Sequence, residues 1–232
     1  MEIKEAIVLA GGLGTRLRDA VPDLPKCMAP VNGEPFVSYV IDYLQQQGIT
    51  RFIFALGYRS EAFIGFLKEK LPLENYEIVI EQFPLGTGGA IQFACTYARQ
   101  KDVVIVNGDS IFKTDLFYQA DFHFAHEAHC TLALKPMKNF DRYGAVELNP
   151  DHTISSFKEK QFLEKGLING GVYILNVPAF FDRFLPEKFS FETDYLQKYY
   201  DEKNIYGVIS DGYFIDIGIP EDYSKAQTEL MH

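Results

Sequence analysis

A glycine-rich stretch with two arginines lies near the start of the chain, at AGGLGTRLR (10–18). Backbone N–H groups exposed by glycines, together with a nearby guanidinium, form a site for anions such as phosphate. The stretch lacks the last glycine of the dinucleotide fingerprint, where Leu17 stands, and the GKS or GKT of a P-loop. A tight turn with surface arginines is the alternative, so this loop alone indicates only a candidate anion site.

Lys26 lies between two prolines in LPKCMAP (24–30). Because proline restricts the backbone, Lys26 is held in a rigid stretch and could supply a point charge to the same anion. Taken by itself, a single lysine is more often a surface residue.

Two aspartates lie in apolar surroundings and could bind a metal. Asp109 follows the apolar run 103–106, and Asp216 is flanked by Ile215 and Ile217. A carboxylate among apolar side chains is costly unless it is paired or binds a cation. Asp109 could instead cap a turn, and Asp216 could face solvent on an edge strand. Both alternatives remain open on the sequence.

A cluster of three histidines and a cysteine occurs in DFHFAHEAHC (121–130). On a helix, steps of three residues spread these side chains over too wide an arc for one tetrahedral zinc ion. We therefore expect a solvated helix face rather than a zinc site.

The composition restricts the classes of partner. The chain has 232 residues and a formal net charge of −10, which argues against a general nucleic-acid surface. No apolar run is long enough to span a bilayer, and no signal-peptide pattern is present, so no membrane partner and a cytoplasmic location are expected. The three cysteines are widely spaced and are expected to be free thiols. The sequence does not determine the oligomeric state and is compatible with a homo-oligomer.

The first half of the chain alternates apolar runs with amphipathic ones. This pattern predicts a parallel sheet built from βα units, with ligands at the carboxyl ends of its strands. Strands are expected at 6–10, 51–56, 76–81 and 103–110, and helices opening near residues 35, 60 and 86. The glycine stretches 11–16, 86–89 and 108–109 follow these elements, so we expect one crevice to contain all three.

The second half reads as strands joined by short turns. They are expected at 130–136, 143–149, 154–160 and 170–176. Two helices, Pro178–Leu185 and Glu192–Asp201, and a closing strand pair at 206–210 and 212–218 complete the prediction.

Several of these stretches together resemble the sugar-1-phosphate nucleotidyltransferases. LAGGLGTRLRDAVPDLPKCMAPVNGEPF (9–36) is similar to the family signature G-G-x-G-[TS]-R-[LM] followed by P-K-x-[ML]-x-P. PLGTGGA (84–90), VNGDS (106–110), INGGVYIL (168–175) and FIDIGIPEDY (214–223) follow in family order. The resemblance implies an α/β fold with a Rossmann-like mixed central sheet flanked by helices. It implies one domain over 1–232 without a β-helix tail, with a nucleotide-binding half at 1–112 and a sugar-phosphate-binding half at 113–232.

The resemblance also implies a set of roles at the nucleotide. Arg16, Lys26 and Asp109 would be catalytic, and Asp109 and Asp216 would bind Mg²⁺. The nucleotide would contact Leu9, Ala10, Gly11, Gly12, Gly14, Thr15, Arg16, Lys26, Glu81, Gly86, Thr87 and Gly108.

The acceptor site implied by the resemblance lies in the second half. The sugar phosphate would contact Tyr143, Gly144, Glu159, Lys160, Asn169 and Gly170. Gln161 replaces the proline of the family's E-K-P segment, and Ile219 stands where threonine is common.

Glu81 favours guanine as the base. An ionised carboxylate only accepts hydrogen bonds, and guanine presents two adjacent donors, whereas uracil and thymine offer a donor and an acceptor. Gln82 weakens this inference because a shift of one residue would bring an amide into the pocket. A third alternative is that Glu81 only ends a strand.

The expected reaction is transfer of a nucleotidyl group from a nucleoside triphosphate to a sugar 1-phosphate, with release of pyrophosphate. Among family members, the chain most resembles the guanylyltransferases that act on D-glycero-D-manno-heptose 1-phosphate in bacterial surface-polysaccharide pathways. Mannose-1-phosphate guanylyltransferases and N-acetylmuramate 1-phosphate uridylyltransferases are the alternatives, and a small-alcohol acceptor also remains open. A sugar-nucleotide-binding regulatory module is the alternative outside the enzymes.

Overall fold

The computed structural model describes residues 2–12, 24–57 and 60–230. Three residues predicted to bind the nucleotide lie outside these ranges, namely Gly14, Thr15 and Arg16.

The described residues form strands and helices in mixed order. The strands are β1 (Glu5–Leu9), β2 (Pro30–Val31), β3 (Glu34–Pro35), β4 (Arg51–Leu56), β5 (Tyr76–Ile80), β6 (Asp102–Asn107), β7 (Ser110–Phe112), β8 (Cys130–Phe140), β9 (Ala145–Leu148), β10 (Ile154–Lys158), β11 (Leu163–Asn176), β12 (Ile205–Ile209) and β13 (Phe214–Asp216). The helices are α1 (Phe36–Gln46), α2 (Ser60–Lys70), α3 (Gly86–Cys95), α4 (Leu116–Ala125), α5 (Val177–Phe181), α6 (Gln197–Tyr199) and α7 (Pro220–Glu229). Short 3₁₀ turns lie at Lys26–Met28, Leu73–Asn75 and Tyr200–Glu202, and a π turn at Phe191–Leu196.

A mixed sheet runs through the part of the chain that the structure describes. Strands β6, β1, β4 and β5 are parallel neighbours, as the βα pattern predicted. Strand β11 joins antiparallel to β6, and its long run also pairs with β8 and β9. Strands β12 and β10 extend the sheet beyond β8 and β9. The long strand β11 therefore connects the two halves of the chain within one sheet.

Apolar cores cover both faces of this sheet. Along β1, Ala6 and Val8 pack into one core while Ile7 packs into the other. All six residues of β4 are buried. Parallel strands covered on both faces read as continuous apolar runs, which explains why they could be located from the sequence.

Helix α1 follows the sequence pattern closely. Its predicted apolar face is buried, and Gly48 after its end has a φ of +87°, a left-handed conformation that glycine adopts without strain. No helix in the described ranges is both long and apolar enough to cross a lipid bilayer.

Both helices predicted for the second half have different bounds. Helix α5 ends at Phe181 rather than near residue 185. The expected helix over 192–201 is a π turn followed by the short helix α6 and a 3₁₀ turn. Ser190 begins the π turn, with its side chain accepting a hydrogen bond from the backbone N–H of Thr193.

The predicted closing strand pair was wrong. Strand β12 pairs in parallel with β8, whereas β13 pairs antiparallel with β7 in a separate two-stranded sheet. Gly212 between them lies so close to the Lys113 carbonyl that a Cβ at this position would be 1.6 Å from that oxygen. At Gly212 the chain passes from β12, which lies beside β8, to β13, which lies beside β7. Local patterning in the sequence does not encode this change of partner.

The solvated helix face predicted for 121–130 was wrong for His123. Helix α4 ends at Ala125, and the His123 side chain is buried. Its Nδ1 lies 2.8 Å from Thr131 Oγ1 and its Nε2 lies 3.3 Å from Asp102 Oδ1. Because the imidazole is satisfied by these neighbours, burial costs it little.

Candidate active site

The turn after β6 places Asp109 at the carboxyl edge of the sheet. Gly108 donates its backbone N–H to the Leu9 carbonyl at 2.8 Å, and a Cβ on Gly108 would be 3.0 Å from that same oxygen. The strand therefore turns sharply, and β7 begins at Ser110. In the pairing of β7 with β13, Ser110 stands opposite Asp216. Two aspartates 107 positions apart in sequence are thus brought to the same point by this small sheet.

Lys26 joins the two aspartates. Its Nζ lies 2.6 Å from Asp109 Oδ2 and 3.1 Å from Asp216 Oδ1. Burial lowers the pKa of Lys26, but the two carboxylates outweigh this effect and leave the pKa above its ordinary value. The ammonium is therefore charged at neutral pH.

The two carboxylates fit a divalent metal. Both reach a single cation, the Lys26 ammonium, so their oxygens converge on one region. Among the described residues, no group of three or more His, Cys, Asp or Glu side chains could hold a metal ion by itself. Mg²⁺ characteristically uses one or two protein carboxylates and takes its other ligands from water and substrate phosphates. The pair Asp109 and Asp216 matches that donor set.

A cleft of about 630 Å³ opens at the carboxyl ends of β1, β4 and β6. The predicted nucleotide-binding residues on its lining are Leu9, Gly11, Gly12, Glu81, Gly86 and Thr87. Ala10 is buried and donates its N–H to the Ala55 carbonyl, and Gly108 forms the turn described above. These two predicted residues and Lys26 are not part of the cleft lining.

Glu81 is held at the wall of this cleft by its own loop. Its Oε2 accepts the backbone N–H of Leu85 at 2.9 Å, and a Cβ on Gly11 would be 2.7 Å from Oε1. Burial raises the pKa of Glu81 above its ordinary value. Gln82 also lines the cleft and is exposed. Glu81 and Gln82, the two side chains that the sequence offered for contact with the base, therefore both lie at this wall.

The glycines of the 86–89 stretch serve mainly a packing role. Gly86 has a φ of +75°, and a Cβ there would be 2.4 Å from the Phe189 carbonyl oxygen. A Cβ on Gly88 would be 2.1 Å from the Phe189 ring. Helix α3 thus begins against a segment from the second half of the chain, and any side chain at these positions would force the two apart.

A second cleft of about 370 Å³ lies on the other side of Asp109. All six residues predicted to contact the sugar phosphate line it, namely Tyr143, Gly144, Glu159, Lys160, Asn169 and Gly170. Asp109 and Asp216 also line it. The structure therefore brings the predicted acceptor residues to the predicted metal ligands.

Close contacts explain the acceptor cleft's local sequence. A Cβ on Gly170 would be 2.1 Å from the Phe112 ring, and one on Gly144 would be 2.9 Å from the Lys158 carbonyl oxygen. Asn169 donates from Nδ2 to the Tyr173 hydroxyl at 2.8 Å and accepts the Gly171 N–H at 3.1 Å. The amide is thereby fixed beside the cleft.

Several lining residues were missed by reasoning from the sequence. Asn107 and Glu192 line both clefts, as the predicted Asp109 does, and Arg142, Thr193 and Gln197 line the acceptor cleft. Arg142 donates to Asp222 Oδ2 at 2.5 Å and lies over the Tyr143 ring, 5.5 Å from its centroid. Its position directly before the predicted Tyr143 was a usable signal. Glu192 lies in FSFETDYL (189–196), a stretch whose resemblance to the heptose 1-phosphate guanylyltransferases was also a signal, but it was assigned to an ordinary helix without a role in the site.

The chain was compared with known proteins. The nucleotidyl transferase family model matches residues 5–232. A D-glycero-alpha-D-manno-heptose 1-phosphate guanylyltransferase of Aneurinibacillus thermoaerophilus is 50% identical over 98% of this chain and 99% of its own length. One of the same name from Campylobacter jejuni is 43% identical over 94% of this chain and 96% of its own length.

A solved structure agrees in fold. HddC from Yersinia pseudotuberculosis, crystallised in complex with GMP-PN, superimposes with a TM-score of 0.84 at 34% identity, covering 99% of this chain and 100% of that one. The predicted mixed α/β fold with a central sheet flanked by helices is confirmed. With the family model spanning nearly all its residues, the chain belongs to the nucleotidyl transferase family, whose enzymes generally use a divalent metal.

Proposed function

We propose that this protein transfers the guanylyl group of GTP to D-glycero-α-D-manno-heptose 1-phosphate, giving the GDP-sugar and pyrophosphate. The observation that carries the proposal is the junction of two clefts at Asp109, one lined by predicted nucleotide residues and the other by predicted sugar-phosphate residues. Two relatives that match along nearly their whole length carry the name of this activity.

The reaction joins a phosphate oxygen of the sugar phosphate to the α-phosphorus of GTP, and the bond from that phosphorus to pyrophosphate breaks. Both reactants are anions, so catalysis depends on positioning them in line and on stabilising charge. The Lys26 ammonium would contact the α-phosphate, Lys160 the acceptor phosphate, and Arg16 the triphosphate. Asp109 and Asp216 would hold Mg²⁺, which when bound neutralises phosphate charge.

Glu81 would select the base. Its Oε2 is already engaged by the Leu85 N–H, yet each carboxylate oxygen retains capacity to accept a further hydrogen bond. The N1–H and 2-amino group of guanine supply two such donors side by side. A Cβ on Gly11 would lie 2.7 Å from Oε1, so the missing side chain at this position would let the base approach the carboxylate.

A substrate matrix tests the proposal. Pyrophosphate release is measured with GTP, UTP, CTP and dTTP, each against heptose 1-phosphate, mannose 1-phosphate and N-acetylmuramate 1-phosphate. The highest kcat/KM is expected for GTP with the heptose phosphate. Preference for UTP would contradict the assignment of guanine as the base, and preference for mannose 1-phosphate would contradict the assignment of the heptose as the acceptor sugar. No turnover with any pair of substrates would favour a regulatory binding module.

Two further expectations accompany this function. The enzyme is proposed to act in the cytoplasm, where nucleoside triphosphates are available. Homo-oligomer formation is tested by light scattering coupled to size-exclusion chromatography.

A further inference from the structure

The π turn Phe191–Leu196 presents a polar face to the acceptor cleft. Glu192, Thr193 and Gln197 all line that cleft. The backbone N–H of Gln197 donates to the Glu192 carbonyl, a bond from residue i to i+5. In an α-helix residues five apart would diverge by about 140°. The wider π turn instead brings Glu192 and Gln197 toward the same side.

Within the part of the chain that the structure describes, Glu192 is anchored through one of its two carboxylate oxygens. Its Oε2 accepts the Thr87 hydroxyl at 2.8 Å and the Ser190 hydroxyl at 3.0 Å. The Thr87 hydroxyl also accepts the backbone N–H of Phe191 at 2.9 Å, so the start of α3 and the π turn are tied together. Among the described residues, Oε1 of Glu192 has no hydrogen-bond partner. The side chain is thus held in place with acceptor capacity left over.

The chemistry of these side chains points to hydroxyl groups. A carboxylate only accepts hydrogen bonds, and phosphate oxygens at neutral pH also only accept, so Glu192 and a phosphate would repel each other. Sugar hydroxyls donate and accept. The amide of Gln197 and the hydroxyl of Thr193 can do both as well, which complements a polyhydroxylated ring.

We propose that the π turn selects the acceptor sugar, with Glu192 accepting a hydrogen bond from a sugar hydroxyl and with Thr193 and Gln197 contacting neighbouring hydroxyls. This inference rests on the proposed function, because it assumes that a sugar 1-phosphate occupies the second cleft. It makes Glu192 a specificity-determining residue at the boundary between the two substrates.

Glu192→Gln tests the proposal because it keeps the size of the side chain and one acceptor oxygen for Thr87. Losing a hydrogen bond to a charged acceptor is expected to raise the KM for the sugar phosphate by about 10-fold or more. The KM for GTP should stay within about twofold, since the bond concerns the acceptor alone. Gln197→Ala should raise the same KM by about 5-fold, the loss of a neutral hydrogen bond.

Asp194→Asn is the matched control. Asp194 belongs to the same π turn and accepts the Ser190 N–H at 2.7 Å, but it is not part of either cleft lining. Its substitution should leave both KM values unchanged. Thermal unfolding of each variant shows whether the fold is retained, and Glu192→Asp provides a second variant with the charge preserved.

The outcomes separate this inference from the proposed function. The kinetics use whichever sugar phosphate the wild-type protein turns over best. A preferred substrate other than the heptose phosphate, with its KM still raised in Glu192→Gln, would refute only the assigned sugar. An unchanged sugar-phosphate KM in Glu192→Gln would refute the selector role. An equal rise in the KM for GTP that disappears with 2′- or 3′-deoxy-GTP would assign Glu192 to the ribose and also refute it.

Discussion

Two clusters of charged side chains stand at opposite edges of the same sheet and differ in almost every physical respect. At the amino edge, Arg51 of β4 pairs with Glu5 of β1 and, at 3.3 Å, with Glu77 of β5. At the carboxyl edge, Lys26 pairs with Asp109 and Asp216. Each cluster contains two carboxylates joined by one cation.

The amino-edge cluster is closed. The Glu5 side chain is only 3% exposed, and its Oε2 accepts the backbone N–H groups of Arg99 at 2.8 Å and Gln100 at 2.6 Å. Arg99 adds a second guanidinium near Glu77, at 3.6 Å, so the positive and negative charges balance. The buried charges of Arg51 and Glu5 are tolerated because they are paired with each other and Glu5 is also hydrogen-bonded to the backbone, although Arg51 Nε has no hydrogen-bond partner among the described residues.

The carboxyl-edge cluster is open. The side chains of Asp109 and Asp216 are 37% and 29% exposed, and among the described residues the Lys26 ammonium is the cation that pairs with both of these carboxylates. Asp109 lines both clefts, and Asp216 lines the acceptor cleft. A buried ion pair such as Arg51 and Glu5 supports the sheet, whereas carboxylates that are accessible from a cleft retain the capacity to bind a cation and its ligands.

Asp109→Asn should have the largest effect and should act on activity alone. We expect pyrophosphate release to fall by about 10³-fold or more, because the neutral amide is a poorer ligand for the Mg²⁺ that Asp109 would hold at the reacting phosphate. The free energy of unfolding should change by no more than about 1 kcal/mol, as for other exposed ion pairs. Turnover close to that of the wild type would show that Asp109 takes no part in the reaction. It would also contradict the functional difference between the charged clusters at the two edges of the sheet.

Glu5→Gln should have the opposite pattern. Removing this charge leaves the Arg51 guanidinium buried with a weaker partner, which should lower the free energy of unfolding by about 3 kcal/mol. Urea titration followed by circular dichroism measures this loss. The KM values for both substrates should be unaffected at a temperature where the variant is folded. A variant as stable as the wild type would mean that the closed cluster contributes nothing to folding.

Glu81→Gln probes a third carboxylate, which lies beside the open cluster but is half-buried. We expect kcat/KM for GTP to fall by about 10- to 100-fold, since a charged acceptor is lost. Because burial raises the pKa of Glu81, wild-type GTP use should decline as the pH falls toward that raised pKa and the carboxylate gains a proton. The variant should lack this acidic decline, and the same decline in both proteins would contradict the assignment.

Lys26→Met should give the smallest of these effects on stability, and this effect should depend on alkaline pH. The pKa of Lys26 is raised above 10.5 in the folded state, so its contribution is complete below pH 10.5 and is lost as the pH rises through the raised value. With Asp109 partly exposed, that contribution is about 1 kcal/mol or less. The difference in unfolding free energy between wild type and variant should be constant from pH 7 to 10 and then shrink.

An alkaline difference that grows instead would contradict the sign of the Lys26 shift. Asp42 and Lys70, which pair at 2.6 Å away from both clefts, offer a surface control. Lys70→Met should leave pyrophosphate release unchanged.

Long buried strands and strongly patterned helices could be predicted because their signal is local. The apolar runs of β1, β4 and β6 and the buried face of α1 follow directly from hydrophobic periodicity. The pairing of β12 and β13 could not be predicted, because both are short strands whose partners lie about 75 to 105 positions away in sequence. The π turn was missed for a similar reason, since its sequence is compatible with an ordinary helix.

By itself, the sequence indicated the family and gave the candidate site residues and their order along the chain. Asp109, Asp216, Lys26 and the six acceptor residues were all named from motifs, because a phosphate and metal site needs particular functional groups at particular turns. Only the tertiary structure decided which of these groups meet. Lys26 pairs with two aspartates separated by 107 positions, and Glu192 lines two clefts that draw most of their residues from different halves of the chain. These contacts arise from sheet pairing and close packing over long sequence separations, which local patterns do not encode.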